Sequence, residues 1–299
     1  MFSVKKLGKH LGAEISGVDL SKQLNDDTFA ALTKAFFDNE VVVFRDQKLT
    51  PEQQISFTQR FGLLEKHVRK ESRLKGHDEL FIISNLIGDD GKPIGAIDAG
   101  RFWHSDLSYK EQPSMLSALY SIEVPKREDG EVLGDTQYAS TAAAYDALPE
   151  ETKRRLNGLN AVHSYRFYRE KNRKAQEIEA ATGGRVIKEK ELTEEQLSSV
   201  PDVASPLVRT HPVTGRKCLF INEAHTSEIV GLPKQESDEL LQSLYAHIIK
   251  SEFRYVHKWR TGDLLMWDNC AAQHKATFDY DLPLRRLMYR TTVRGSVPV

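Results

Sequence analysis

"GDLLMWDNCAAQHKATFDYDLPLRRLMYR", residues 262–290, is the stretch on which the fold reading turns. Gly262 and Asp263 lead the chain into the short apolar run "LLMW", which has the length of a buried strand. A loop is then expected to present His274. Further on, "LRRLMYRTTVRG" (284–295) reads as another strand and carries Arg285, Arg286 and Arg290. Adjacent side chains on a strand point to opposite faces. Arg285 is therefore expected on the face away from Arg286, as a surface charge.

The same rhythm of short strands and turns runs through the second half. It appears in "MLSALYSIEV" (115–124), "GDTQYAS" (134–140), "LNAVHSYR" (159–166), "LVRTHPVTGRKCLFIN" (207–222) and "EFRYVHKW" (252–259). Such spacing argues for a sandwich or jelly roll and against a parallel α/β sheet. Helices are expected near 141–157 and 234–249. In the first half, residues 3–20 read as strand pieces around a Gly-containing turn. "NDDTFAALTKAFFDNE" offers Asn25 to Asp27 as helix caps ahead of apolar residues at helical spacing. "VVVFRDQ" (41–47) and "ELFIISN" (79–85) read as strands. "LTPEQQISFTQRFG" carries a helix start, with Thr50 as N-cap, Pro51 in the first turn and Gln53 completing a capping box; Gly62 ends the segment. The class is thus mainly β with flanking helices. Residues 166–203 are highly charged with few large apolar side chains, which fits a solvated surface excursion or a mobile lid. No linker or repeat divides the chain, so residues 1–299 are expected to form a single domain.

Composition narrows the function. The chain has 299 residues, 39% hydrophobic and 28% charged, with a net charge of −1. That balance suits a globular protein and carries no nucleic-acid or membrane footprint. No run approaches the roughly 18 apolar residues of a membrane span, and the N-terminus lacks the apolar core of a signal peptide. Two cysteines, Cys218 and Cys270, make no disulfide framework. A cytoplasmic location is expected.

A second stretch, "FWHSDLSY" (102–109), places His104 two residues before Asp106. In an extended segment these side chains share a face and can reach one object. A lone His-x-Asp is as readily a hydrogen-bonded pair on a strand. Joined with His274 it becomes two imidazoles and one carboxylate, the ligand set of non-haem Fe(II) oxygenases. Three protein ligands leave positions open on the metal and a site charge near +1, suited to an anionic chelator. An arginine on a neighbouring strand matches such a chelator's distal carboxylate bidentately. A zinc hydrolase could use the same three ligands.

Taken in order, "GAEISGVDL", "VVVFRDQKLTPEQQISFTQRFG", "WHSD", "GDT", "HPVTGRKCLFIN", "GDLLMWDN", "QH" and "RRLMYRTTV" resemble the taurine dioxygenase and 2,4-D dioxygenase family of Fe(II)/2-oxoglutarate-dependent dioxygenases, from about residue 5 to about 295. The resemblance implies a double-stranded β-helix, or jelly roll. It implies Fe(II), 2-oxoglutarate and O₂ as cofactor and co-substrates, with His104, Asp106 and His274 as iron ligands. It implies that Arg286 and Thr136 bind the far carboxylate of 2-oxoglutarate and that Arg290 and His67 bind substrate. The implied reaction hydroxylates a C–H of a small anionic molecule, a sulfonate, an aryloxyalkanoate or a similar carboxylate, with release of succinate and CO₂. Desaturation or epoxidation with the same cofactors, or a jelly-roll binding protein without activity, are the alternatives. Family members are often dimers or tetramers, so a homo-oligomer is expected.

The remaining candidates divide as follows. His211, before Pro212, is read as a structural hydrogen-bonding residue. His225 could approach the mouth of the barrel. His10, His77, His163, His247 and His257 are read as surface or core residues. Trp103 and Trp267 flank the ligands as core packing. Asn269 and Gln273 are read as hydrogen-bonding support for the ligands, and Cys270 as a small buried residue. Taurine-binding members carry an Asn shortly before the His-x-Asp pair. Here Gly100 and Arg101 stand instead, which weakens the case for taurine; Arg101 could contact an anion or point outward. Asp106 is the carboxylate that halogenating relatives lack, so halogenation is disfavoured.

Overall fold

The computed structural model describes residues 2–97, 99–181, 198 and 200–299. The chain opens with β1 (Ser3–Lys6), β2 (Ala13–Ser16), α1 (Asp26–Asn39), β3 (Val41–Phe44) and α2 (Pro51–Gln59). β4 (Arg73–Leu74), β5 (His77–Ser84), β6 (Ser114–Glu123) and β7 (Thr136–Ser140) follow, then α3 (Thr141–Asp146), α4 (Glu150–Leu156), β8 (Asn160–His163) and α5 (Tyr165–Ala181). The last part holds β9 (Val203–Pro206), β10 (Val208–Thr210), β11 (Lys217–Leu219), β12 (Thr226–Ile229), α6 (Lys234–Ile248), β13 (Arg254–His257), β14 (Leu264–Asp268), β15 (Ala272–Ala276) and β16 (Leu287–Arg294).

The helix starts behave as their sequences dictate. Asn25 caps α1 by accepting from Thr28 N, and Thr50 and Gln53 form a reciprocal capping box on α2 with Pro51 in the first turn. The single helix expected at 141–157 is instead two. Pro149 cannot continue the ladder and biases Leu148 away from helical backbone, so α3 stops and α4 restarts.

Eight strands form the major sheet in the order β1-β2-β3-β14-β6-β16-β5-β4, and β13-β7-β15 form a smaller sheet. Alternation along the strands builds the layers. On β3, Val42 and Phe44 join Phe36 of α1 and Phe57 of α2, with Leu264 and Met266 of β14. Val41 and Val43 instead join Leu265 and Trp267 of β14, Leu119 of β6 and Tyr138 of β7. On β7, Ala139 turns the other way, into a cluster with Ala143, Leu156, Leu240 and Leu244. The order is therefore helices, major sheet, smaller sheet, helices. The chain switches between the sheets in its final run, from β13 to β14, β15 and β16. The fold is mainly β with flanking helices, and the side chains between the two sheets at one end of the sandwich make the site.

The charged stretch at 166–203 was expected as a surface excursion or lid. Its beginning is α5, an ordered helix that buries Tyr165, Asn172 and Gln176. Arg101 reaches Glu179 of this helix at 2.5 Å, and Lys171 reaches Glu223 at 2.9 Å. Residues 182–197 and 199, where the rest of that expectation falls, lie outside the described residues.

His163 on β8 is a core residue. Its ring stacks on Phe220 with centroids 4.8 Å apart and donates Nε2–H to the Phe220 carbonyl at 3.1 Å. Burial lowers its pKa to about 4. The native state thus binds fewer protons than the unfolded state between pH 4 and 6.5. The stability this group contributes is complete above pH 6.5 and is lost as pH falls towards 4. Denaturant titrations at pH 7 and pH 5 should show His163→Gln losing about 2 kcal/mol less on acidification than the wild type. Equal losses would contradict the assignment.

Candidate active site

His274 lies on β15, not in a loop, because the β14–β15 connection is only a tight turn at 269–271. The segment containing His104 is not a continuous strand. His104 makes an isolated antiparallel bridge with His274, with reciprocal N–H to carbonyl bonds of 3.0 and 2.8 Å. Leu107 then adopts left-handed backbone at φ 56° and the chain reverses directly after Asp106. One bridge therefore brings the two imidazoles together, centroids 4.0 Å apart, and the turn carries the carboxylate to them. His104, Asp106 and His274 offer ligand atoms within 4.8 Å of one another.

Each group is held in the state a metal requires. His104 Nδ1 donates to the Phe102 carbonyl at 2.9 Å, which leaves Nε2 with a lone pair. Burial lowers the pKa of both His104 and His274 and keeps them neutral. Burial alone would raise the Asp106 pKa, but the Arg290 guanidinium, the neighbouring imidazoles and the Ser117 hydroxyl outweigh it and hold the carboxyl well below the usual range. Ser117 Oγ donates to Oδ2 at 2.6 Å and Arg290 Nη1 to Oδ1 at 2.7 Å. The His104 Nε2 to Asp106 Oδ1 distance is 3.8 Å, too long for a hydrogen bond, so these donors converge without saturating each other. His274 Nδ1 is buried with no hydrogen-bond partner among the described residues. This donor set fits a divalent iron.

Asn269 in the β14–β15 turn supports the carboxylate. Its Oδ1 accepts from Asp106 N and from Trp267 Nε1, both at 3.0 Å, and its Nδ2 donates to Ser117 Oγ at 3.1 Å. Gln273, expected in the same role, instead donates to the Ile221 carbonyl and braces β15 from the far side. Its odd position on the strand turns it away from His274. Ser117, which orients Asp106 directly, carried no signal in the sequence beyond its place on a strand.

A second trio, His211, Asp268 and Cys270, also lies close together and fully buried. It is not built for a metal. His211 Nδ1 accepts from Val213 N and Thr214 N, so Nε2–H donates to Asp268 Oδ2 at 2.7 Å. Both ring nitrogens are used, in keeping with the structural reading of His211. Burial pushes the Cys270 thiol up to about 12, so it stays protonated.

Two cavities meet at the triad. The inner one is lined by Thr136, Tyr138, Trp267, His274, Tyr280 and Arg286 among others. Arg286 and Arg290 have the same parity and both are buried; Arg285, as expected, faces out and pairs with Glu123 at 2.7 Å. Arg286 N donates to Asn85 Oδ1 at 2.8 Å and Nη1 to the Gly134 carbonyl at 2.5 Å. Its guanidinium sits between the Trp259 and Tyr280 rings, 5.8 and 5.6 Å from their centroids. Any Cβ on Gly134, at φ 75°, would overlap that guanidinium, which explains the glycine of "GDT". Trp259 Nε1–H donates to Thr136 Oγ1 at 3.0 Å, so the threonine's own proton is free to donate into the cavity. Trp259 was missed in the sequence because its role arises from a contact 123 residues away.

The outer cavity holds His67, Phe81, Tyr109, Tyr165, Tyr168, His225 and Arg290, with Arg69 and Arg101. His67 Nδ1 accepts from Arg69 N at 3.1 Å, so its Nε2 carries the proton. Its ring packs tilted against Phe81, centroids 4.0 Å apart, and Arg290 also lies over Phe81. Opposite, His225 packs against Tyr109 and Tyr168 at 5.0 and 5.1 Å, and Tyr109 against Tyr165 at 4.8 Å. His225 Nδ1–H donates to Asn222 Oδ1 at 3.2 Å, which leaves Nε2 as an acceptor. His225 therefore enters the site more fully than the sequence suggested. Arg101 contacts α5 through Glu179 while lining the same cavity.

Comparison with known proteins agrees with this geometry. The family model for taurine catabolism dioxygenase TauD, TfdA family, matches residues 3–292. The alpha-ketoglutarate-dependent 2,4-dichlorophenoxyacetate dioxygenase of Cupriavidus pinatubonensis is 35% identical over 290 residues, 94% of this chain and 93% of that one. The (S)-phenoxypropionate/alpha-ketoglutarate-dioxygenase of Sphingobium herbicidovorans is 35% identical over 294 residues, 98% of this chain and 95% of the relative. The crystal structure of AAD-2 in complex with Mn(II) and N-oxalylglycine superposes with a TM-score of 0.77 at 32% identity, covering 100% of this chain and 99% of the other. Two imidazoles and a carboxylate beside a buried arginine, on a chain matched nearly end to end, make this protein a member of the TauD/TfdA family of Fe(II)- and 2-oxoglutarate-dependent dioxygenases.

Proposed function

We propose that the protein hydroxylates a C–H of a small organic anion with a flat aromatic body, an aryloxyalkanoate-like carboxylate in preference to a short alkyl sulfonate. In this reading the two-sheet sandwich is an open double-stranded β-helix in a single domain. His104, Asp106 and His274 hold the iron. Arg286 and Thr136 bind the far carboxylate of 2-oxoglutarate, and Arg290 and His67 bind the substrate's anionic head. The bound Fe(II), with 2-oxoglutarate and O₂, supplies the oxidising power, releasing succinate and CO₂.

The observation that carries this reading is the placement of Arg290. It is buried on β16, lies beside Asp106 and borders both cavities, while Arg286 sits just before the same strand. It can therefore fix an anion within reach of the metal ligands, and binding energy gained at that remote head is used to orient the reacting carbon. His67, neutral with Nε2–H as donor, adds a hydrogen bond of the polarity an anion needs. His225, neutral with Nε2 as acceptor, would repel a second negative group on the opposite wall. Tyr109, Tyr165, Tyr168 and Phe81 offer ring faces to a planar body, at centroid spacings typical of aromatic pairs. The buried walls also exclude water from the reacting carbon.

The two arginines should separate in kinetics followed by succinate formation. With Fe(II) held saturating, because Arg290 also pairs with Asp106, Arg290→Gln should raise the substrate KM by about 30-fold or more, the cost of removing a buried charge-assisted contact, while changing the 2-oxoglutarate KM far less. Arg286→Gln should do the reverse. Equal effects of both variants on both KM values would contradict the division of labour. A comparison of substrates should show kcat/KM at least about tenfold higher for a phenoxyalkanoate than for a short alkyl sulfonate, from ring contacts of about 0.5–1.5 kcal/mol each. A preference for the sulfonate would overturn the aromatic reading.

A further inference from the structure

Tyr138 is the fully buried side chain of the inner cavity to which the reading above gives no work. It sits on β7 two residues beyond Thr136, on the same strand face. Register places Tyr138 level with His274 and Thr136 level with Ala276, so Tyr138 occupies the metal end of the cavity. Its ring is fixed on three sides. It stacks on His274 (5.9 Å, 20°), lies 5.8 Å from Trp267 and is stacked 6.4 Å from Tyr255. Yet its hydroxyl is buried with no hydrogen-bond partner among the described residues.

A buried hydroxyl without a partner is unusual and destabilising, and a phenylalanine would pack as well without that cost. None of the polar groups that bear on this phenol accepts a hydrogen bond from it. Arg286 and Arg290 only donate. The two Asp106 oxygens already accept from Ser117 and Arg290. Thr136 Oγ1 already accepts from Trp259. Burial also holds the phenol protonated. The group is thus a neutral donor on a residue that lines the inner cavity together with Arg286 and Arg290.

We infer that Tyr138 binds the co-substrate, donating its O–H to an oxygen of the metal-proximal half of 2-oxoglutarate while Arg286 and Thr136 hold the distal carboxylate. The inference rests on the 2-oxoglutarate assignment above. It adds a third protein contact, at the opposite end of the molecule from the other two.

The test is Tyr138→Phe, read without turnover. Metal-free protein is loaded with Mn(II), which does not sustain the oxidation, and titrated anaerobically with 2-oxoglutarate by calorimetry, with thermal melts of the metal-free protein in parallel. The expected result is a metal-free Tm equal to or above that of the wild type, with 2-oxoglutarate binding about tenfold weaker, one good hydrogen bond's worth. Binding within twofold of wild type would overturn the inference. So would a metal-free Tm several degrees lower, because the hydroxyl would then be satisfied within the protein itself. If wild-type protein fails to bind 2-oxoglutarate, the co-substrate assignment falls first and the inference falls with it. If the wild type binds and Tyr138→Phe binds equally well, only the inference fails.

Discussion

The buried carboxylate of Asp106 is the constraint on which the rest of the site depends. A single ionised group in an interior is strongly unfavourable unless it is paired and hydrogen-bonded. Here three elements converge to meet that demand. Ser117 comes from β6, Arg290 from β16 and Asn269 from the β14–β15 turn. Those strands are neighbours in the major sheet or lead directly from it, so the sheet's register is also the site's geometry. The turn is secured in its own right. His211 donates to Asp268, whose other oxygen accepts from Cys270 N, and this clamps the residues on either side of Asn269. The "HP" motif therefore acts at a distance from Asp106, by fixing the turn that supports its carboxylate.

Strand parity distributes the remaining roles. Odd residues of β3 and β14 face the second sheet, and even residues face α1 and α2. On β16 the even positions face inward, which brings Arg290 to the cavities and, with Arg286 just before the strand, aligns two guanidinium groups along one line. Arg286 lines the inner cavity and Arg290 lines both. Two pockets meeting at one candidate metal site is the arrangement a two-substrate oxidation needs, since both organic reactants must be oriented toward the same centre.

Much of this was legible in the sequence because the information was local. Capping residues, β-branched runs and the His-x-Asp spacing report on their own neighbourhoods, and the parity of Arg285, Arg286 and Arg290 follows from the strand alone. The grouping of His104, Asp106 and His274 follows once the ordered motifs are read together. Legibility failed where a role is created by tertiary contact. Ser117 is one serine among many until β6 lies beside Asp106. Trp259 reads as core until it is seen donating to Thr136. Tyr109, Tyr165 and Tyr168 become one wall only when α5 packs over the turn after Asp106. Gln273 was misplaced for the converse reason: next to a ligand in sequence, it faces away from it on the strand. The break between α3 and α4 is written in the sequence at Pro149.

The central claim is that His104, Asp106 and His274 form one iron site that binds 2-oxoglutarate only together with the metal. Anaerobic calorimetry of metal-free protein with Fe(II), followed by 2-oxoglutarate, tests it most directly, with Asp106→Ala and His274→Ala alongside. The account predicts one Fe(II) per chain and one 2-oxoglutarate per Fe(II). It also predicts at least about a hundredfold weaker metal binding in each variant, since a lost ligand costs several kcal/mol. Wild-type iron affinity in either variant would contradict it.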